Sequence, residues 1–299
     1  MSWFSCFERP AGKHTGRLII MACVIALGVV AGAGPGLAQT KSLNHVINLA
    51  GMQRMLTQKI SKESLLVALG IDRDENLLNL EKTRTLFDRT LKGLRNGDAL
   101  LGLPPTTEPE VLDQLRKVEE LWPLLDTVVR NSVAGQNVTA EGIDTIVELN
   151  LPLLQATDDT VKAYNSASGG LVSMLTVALN LSGQQRMLTQ KMLKEYLLIA
   201  YGYEERNNRR NLRGTIKLFD RTLQGLIKGD NDQGILRAPT PEIRARLRVV
   251  ERLWDEIRPQ LEPFGRAGKP DPGAIAKVAQ ASSLLLEEMN DAVTLYEHL

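Results

Sequence analysis

A chain of 299 residues with 36 Lys and Arg against 35 Asp and Glu is long enough for two domains, yet its charge is balanced. That balance excludes a polybasic clamp on nucleic acid or membrane, and 4% aromatic content leaves few rings to stack on bases or sugars. Leu, Ala, Arg and Glu are abundant, a helix-forming composition.

Residues 1–38 read as a signal peptide. Arg9, Lys13 and Arg17 form a basic start, Leu18 to Ala31 is an apolar run, and Gly36 and Ala38 are small residues placed for cleavage before Gln39. The run is short of the ~20 apolar residues that a spanning helix needs. Export to the periplasm is therefore the expectation, with an uncleaved anchor in the inner membrane as the alternative. Cys6 and Cys23 both lie in this segment, so the remainder holds no thiol for a disulfide, a metal or a nucleophile.

Beyond it, apolar residues recur at helical spacing. A first helix is expected from about Ser42 to Leu69, stopped by Gly70. A second, capped by Asp72, runs to Asn96 and ends at Gly97. The stretch Gly102 to Pro109 is a loop, and the Pro109-Glu110 pair suits the first turn of a third helix. A fourth, with Thr139 as its N-cap, runs from about Ala140 to Tyr164. Four amphipathic helices on short connections give an antiparallel bundle.

The chain then repeats itself at an offset of 132 residues. NLAGMQRMLTQKISK (Asn48 to Lys62) meets NLSGQQRMLTQKMLK (Asn180 to Lys194), LFDRTLKGLRNGD (Leu86 to Asp98) meets LFDRTLQGLIKGD (Leu218 to Asp230), and VEELW (Val118 to Trp122) meets VERLW (Val250 to Trp254). A period this long is a duplicated domain rather than a solenoid repeat. The expected architecture is all-α: two tandem antiparallel four-helix bundles, at 41–164 and 171–299, joined by a link at 165–170.

On a helical wheel of about 100° per residue, Leu49, Met52, Leu56, Ile60 and Val67 form one stripe, the face turned to the bundle's own core. Arg54, Gln58 and Gly51 fall on the other side. The second copy repeats this, with Leu181, Leu188, Met192 and Ile199 inward and Gly183, Arg186 and Gln190 outward. Three readings of the outward face stand open: solvated surface arginines, a packing face where glycine admits a neighbour, or a ligand site. In the last, paired guanidinium forks would match a small planar oxyanion.

The pattern N-[LA]-[AS]-G-x-Q-R-M-L-[TS]-Q resembles the signature of the type IV pilus methyl-accepting chemotaxis transducer N-terminal (PilJ-type) domain. It is also similar to the box in the first periplasmic helix of nitrate/nitrite sensor kinases. The resemblance implies a non-enzymatic sensory four-helix bundle that binds an anion where two first helices meet. It implicates Gly51, Arg54, Gly183 and Arg186, with Asn48, Gln58, Asn180 and Gln190 on neighbouring angles. The QRM box here is that of the pilus group, so nitrate and nitrite are candidates rather than a fixed ligand.

Tandem copies suggest that both halves of such a site lie in one chain. A membrane receptor or a second copy of the chain is the expected macromolecular partner. The alternative function is a ligand-free helical module docking to a chemotaxis, pilus or envelope partner. No cofactor, metal or nucleic acid is implied: His14, His45 and His298 lack ligand spacing, and no nucleophile–base set or phosphate loop is present. The recurring Asp88-Arg89 and Asp220-Arg221, with Glu119 and Glu251, are expected in ion pairs.

Overall fold

The tight turn after the first helix shows how the sequence sets the architecture. In the computed structural model, which describes residues 35–167 and 174–299, α1 (Pro35–Ala68) ends just before Gly70 and Ile71, and α2 (Arg73–Asn96) starts almost at once. Asp72 does not cap α2 through its side chain, contrary to expectation; it sits in the left-handed region with φ 41. Asn76 ties the turn instead, donating from its side-chain amide to the carbonyls of Ile71 (2.9 Å) and Asp72 (3.1 Å). Glu204 and Asn208 repeat the device before α6, with Glu204 at φ 39 and Asn208 donating 2.8 Å to the Tyr203 carbonyl.

The remaining helices are α3 (Pro109–Ala134), α4 (Ala140–Ala167), α5 (Met174–Tyr201), α6 (Glu205–Lys228), α7 (Pro241–Leu261) and α8 (Pro272–Glu297). Pro109 and Pro241 occupy first turns, where a missing N–H costs nothing. Thr139 accepts from the Gly142 N–H at 3.1 Å, so Gly142 fits the first turn of α4. Gly97 closes α2 at φ 84, a conformation that favours glycine. A two-stranded ribbon, β1 (Gly97–Asp98) against β2 (Leu103–Pro105), lies where a loop was expected. The second copy keeps only a bridge between Asp230 and Ile235.

The chain forms two tandem helical bundles, α1–α4 and α5–α8. In each, an aspartate on the second helix holds the tryptophan of the third. Trp122 donates to Asp88 at 3.2 Å and stacks on Phe87; Trp254 donates to Asp220 at 3.0 Å and tilts against Phe219. The same aspartates meet Lys92 (2.7 Å) and Arg258 (3.2 Å), while Arg89 pairs with Asp98 at 2.8 Å and Arg95 with Glu119 at 3.1 Å.

The expected stripe is inside: Leu49, Leu56, Ile60 and Val67 are buried, as are Leu188, Met192 and Ile199, with Met52 and Leu181 half-buried. Each fully buried aliphatic side chain contributes about 1.5–3 kcal/mol before entropic costs. The opposite face of α1 is also covered, by α5, and this contact is the most extensive between any two elements. Both helices are thus buried on two sides. They run parallel: 48–54 meets 180–186 through the Arg54–Asn180 and Arg186–Asn48 hydrogen bonds, and further along both helices Asn150 of α4 joins Thr57, Gln58 and Ser61 of α1 to Lys194 of α5. Lys194 is the repeat equivalent of Lys62, so matching levels lie side by side.

Of the expected segments, 1–34 and 168–173 lie outside the described residues. Among the described residues, no helix is long and apolar enough to cross a membrane.

Candidate functional site

Packing α1 against α5 turns the outward face of the motif into an interior. Arg54 and Arg186 are 2% and 4% exposed, which excludes solvated surface arginines. They cross the seam reciprocally: Arg54 Nη2 donates to Asn180 Oδ1 at 2.8 Å, and Arg186 Nη2 donates to Asn48 Oδ1 at 2.6 Å. This exchange relates the two copies by a local two-fold axis passing close to the glycines. A Cβ on Gly183 would lie 3.5 Å from Arg186 Nη2 and 3.7 Å from Arg54 Nη2. A Cβ on Gly51 would come within 3.1 Å of Arg54 Nη2. Glycine leaves the room into which both guanidiniums reach.

The two arginines share a fold position but not a charge environment. Arg54 Nη1 pairs with Asp158 of α4 at 2.9 Å. Arg186 has no carboxylate within salt-bridge distance among the described residues; the equivalent of Asp158 on α8 is Asn290. Burial, and then the charge of Arg54, push Arg186 down to about 10, with Glu297 acting against them. Arg54 is lowered by burial and held up by Asp158. Both remain cationic at neutral pH. The Nε atoms of both arginines are buried without a hydrogen-bond partner among the described residues. An unmet buried donor costs about 1–3 kcal/mol, so the seam holds charge and donors beyond what the protein itself satisfies.

Six of the eight expected residues therefore meet: Asn48, Gly51, Arg54, Asn180, Gly183 and Arg186. Gln58 and Gln190 are buried one turn further along, each with an unpaired Oε1. Gln58 donates to Asn150 Oδ1 at 3.1 Å and so serves the tie to α4.

Four contributors escaped sequence reasoning. Asp158 and Asn150 lie on α4, Glu297 at the end of α8 and His45 on α1. Glu297 accepts from Asn48 Nδ2 and from His45 Nδ1 (2.5 Å), while His45 Nε2 donates to the Leu101 carbonyl at 2.7 Å. With acceptors at both ring nitrogens, His45 is held as an imidazolium and its pKa is raised, chiefly by Glu297. Val177 and Asn165 replace His45 and Glu297 at the equivalent places.

Elsewhere, a surface groove between α3 and α4 is lined by Glu110, Asp113, Gln114, Asp159, Lys162 and Ala163. Its carboxylates suit no anion. Among the described residues, no cluster of three His, Cys, Asp or Glu side chains could hold a metal.

Duplicated helical bundles meeting through their first helices, with an arginine of each in the seam, define a class of paired-helix bundle domains. The chain belongs to the family described as "Type IV pili methyl-accepting chemotaxis transducer N-term" (PilJ), whose model matches it twice, at 36–143 and 174–283. A methyl-accepting chemotaxis protein of Pseudomonas aeruginosa, McpN, is 30% identical over 125 residues, covering 42% of this chain and 22% of McpN. Protein PilJ of the same organism is 23% identical over 268 residues, covering 87% of this chain and 38% of PilJ. The chain thus spans well under half the length of either relative. Among solved structures, the ligand-binding domain of the P. aeruginosa nitrate receptor McpN is 31% identical, covering 40% of this chain and 91% of that one, with a TM-score of 0.34.

Proposed function

We propose that this protein is an exported, non-enzymatic sensory protein that binds one small planar oxyanion, with nitrate and nitrite as first candidates, between Arg54 and Arg186. The observation that carries the reading is a pair of buried guanidiniums in one seam with a single carboxylate paired to them. Asn48 and Asn180 act as internal placeholders, their amide oxygens occupying donors that an anion would take. Charge-assisted hydrogen bonds of about 2.8 Å from each fork would span an anion the size of nitrate or nitrite over the Gly51–Gly183 crossing.

Exchanging amide oxygens for a ligand shared by α1 and α5 alters the packing of the two first helices. Such a change is a readout that a membrane receptor in the periplasm can sense. The relatives support this reading: McpN is a methyl-accepting chemotaxis protein and a nitrate receptor, and the family is that of type IV pili chemotaxis transducers. The bundles are proposed to act as units at 41–164 and 171–299 behind a cleaved segment at 1–38.

Thermal shift against nitrate, nitrite, chloride and acetate tests the proposal. A ligand that prefers the native state raises the melting temperature. Nitrate or nitrite should do so in the wild type and fail to do so in the Arg54→Ala/Arg186→Ala double variant. No shift with any anion, together with recovery of a protein partner, would favour the ligand-free docking module.

A further inference from the structure

The seam is built by two nearly identical copies, and its electrostatics are nevertheless lopsided. Arg54 has Asp158 at 2.9 Å; Arg186 has Asn290 at the equivalent position, half-buried and without a hydrogen bond to it. Lys162, which also meets Asp158 at 2.9 Å, is 63% exposed, and solvent screens most of its effect. Glu297 is the other acid near Arg186, and the imidazolium of His45 lies 2.5 Å from it. The charges therefore cancel in two pairs, Arg54 with Asp158 and His45 with Glu297. Around the guanidiniums one positive charge is left, on Arg186; the buried Lys62 and Lys194 lie about two turns further along α1 and α5.

We infer that Asp158, lacking a counterpart in the second copy, is the specificity-determining residue of the site. It fixes the uncompensated charge around the guanidiniums at one, so the site takes monoanions, rejects dianions and holds its ligand nearer Arg186 than the two-fold axis. The inference rests on the anion-binding reading above and adds the charge class of the ligand and the residue that sets it. A monoanion brings the buried charge to zero. A dianion such as sulfate leaves a net negative charge out of water, which is costly at this depth. Two identical copies from separate chains would carry either two such acids or none, so only a tandem chain can hold a single one. Rejection by an unmatched buried charge is a general route to selectivity.

Calorimetry with nitrate and sulfate on the wild type, Asp158→Asn and Asn290→Asp tests the inference, with circular dichroism confirming that each variant is folded. The wild type should prefer nitrate by ~10-fold or more. Asp158→Asn raises the seam to two uncompensated charges, so sulfate binding should appear or strengthen and the preference should narrow or reverse. Asn290→Asp supplies Arg186 with an internal counter-ion, so nitrate affinity should fall ~10-fold or more. Equal affinity of the wild type for both ions, or an unchanged preference in Asp158→Asn, overturns the inference while leaving anion binding intact. Absence of binding by the wild type and by Asp158→Asn overturns the anion-binding reading itself.

Discussion

Arg186 reaches out of the second copy and donates to Asn48 of the first at 2.6 Å, at a place where no carboxylate of the described residues is paired with it. A buried cation held by one neutral amide is a poor device for stability and a good one for capturing an anion.

That contrast predicts opposite effects on stability and binding. Replacing Arg186 with Met removes an uncompensated buried charge, so the ligand-free protein should gain stability, on the order of 1–3 kcal/mol by analogy with apolar replacement of buried ions. It should lose all thermal response to nitrate. Replacing Arg54 with Met strips Asp158 of its buried partner and should not stabilise. Urea denaturation of both variants checks this, and an Arg186→Met protein less stable than wild type would mark the arginine as structural.

Gly51 separates fold from function in another way. Alanine there would place its Cβ 3.1 Å from Arg54 Nη2, the mobile end of a side chain, so the guanidinium yields rather than the backbone. Helix propensity favours the change by roughly 0.5–1 kcal/mol. Gly51→Ala should therefore fold at least as well as wild type and bind nitrate more weakly. Gly183→Ala, whose nearest guanidinium nitrogen is 3.5 Å away, should have the smaller effect. Melting curves and calorimetry on the same preparations read both.

Away from the seam, the two copies differ at a buried tyrosine. Tyr164 shares its hydroxyl with Thr106 Oγ1 at 2.6 Å. In the second copy Ala238 stands in place of that threonine, and the Tyr296 hydroxyl is buried without a partner among the described residues. Ala238→Thr should restore the bond and raise stability by ~1 kcal/mol, while Thr106→Ala should lower it by a similar amount. Denaturant midpoints of the two variants test the pair.

The His45–Glu297 contact makes a defined pH signature. His45 is raised above 6.5, so its contribution is complete below 6.5 and is lost as pH rises through the folded value. Burial pushes Glu297 up, but His45 and Asn48 outweigh it and hold its carboxyl below 4.5. Its contribution is present above 4.5 and lost as pH falls through the folded value. The pair is therefore strongest between these limits. The stability lost in His45→Val, the residue of the second copy, should be ~1 kcal/mol near pH 6 and shrink by pH 9. A loss independent of pH would contradict the imidazolium assignment.

How far the sequence carried can be judged residue by residue. The stripe from Leu49 to Val67, the stop at Gly97 and the start at Pro109 are local consequences of period and backbone chemistry, and all were legible. The wheel also showed that Arg54 and Gly51 turn away from the apolar stripe. It held no information on what covers them, because the partner face lies 132 residues away and is chosen by packing of whole helices. Asp158 looked like an ordinary acid on a charged helix. Its difference from Asn290 was visible in the repeat alignment, but it acquires meaning only once α4 is known to lie beside Arg54. Asp72 failed as a cap because the turn from α1 leaves it in the left-handed region, where Asn76 secures the backbone instead.

The central claim is that both halves of the anion site lie in one chain. Titration calorimetry with nitrate, on protein shown to be monomeric by light scattering, tests it most directly. One anion per chain, with binding abolished by Arg54→Ala and by Arg186→Ala separately, is the predicted result. Two anions per chain, one anion per pair of chains, or full binding by either single variant would contradict it.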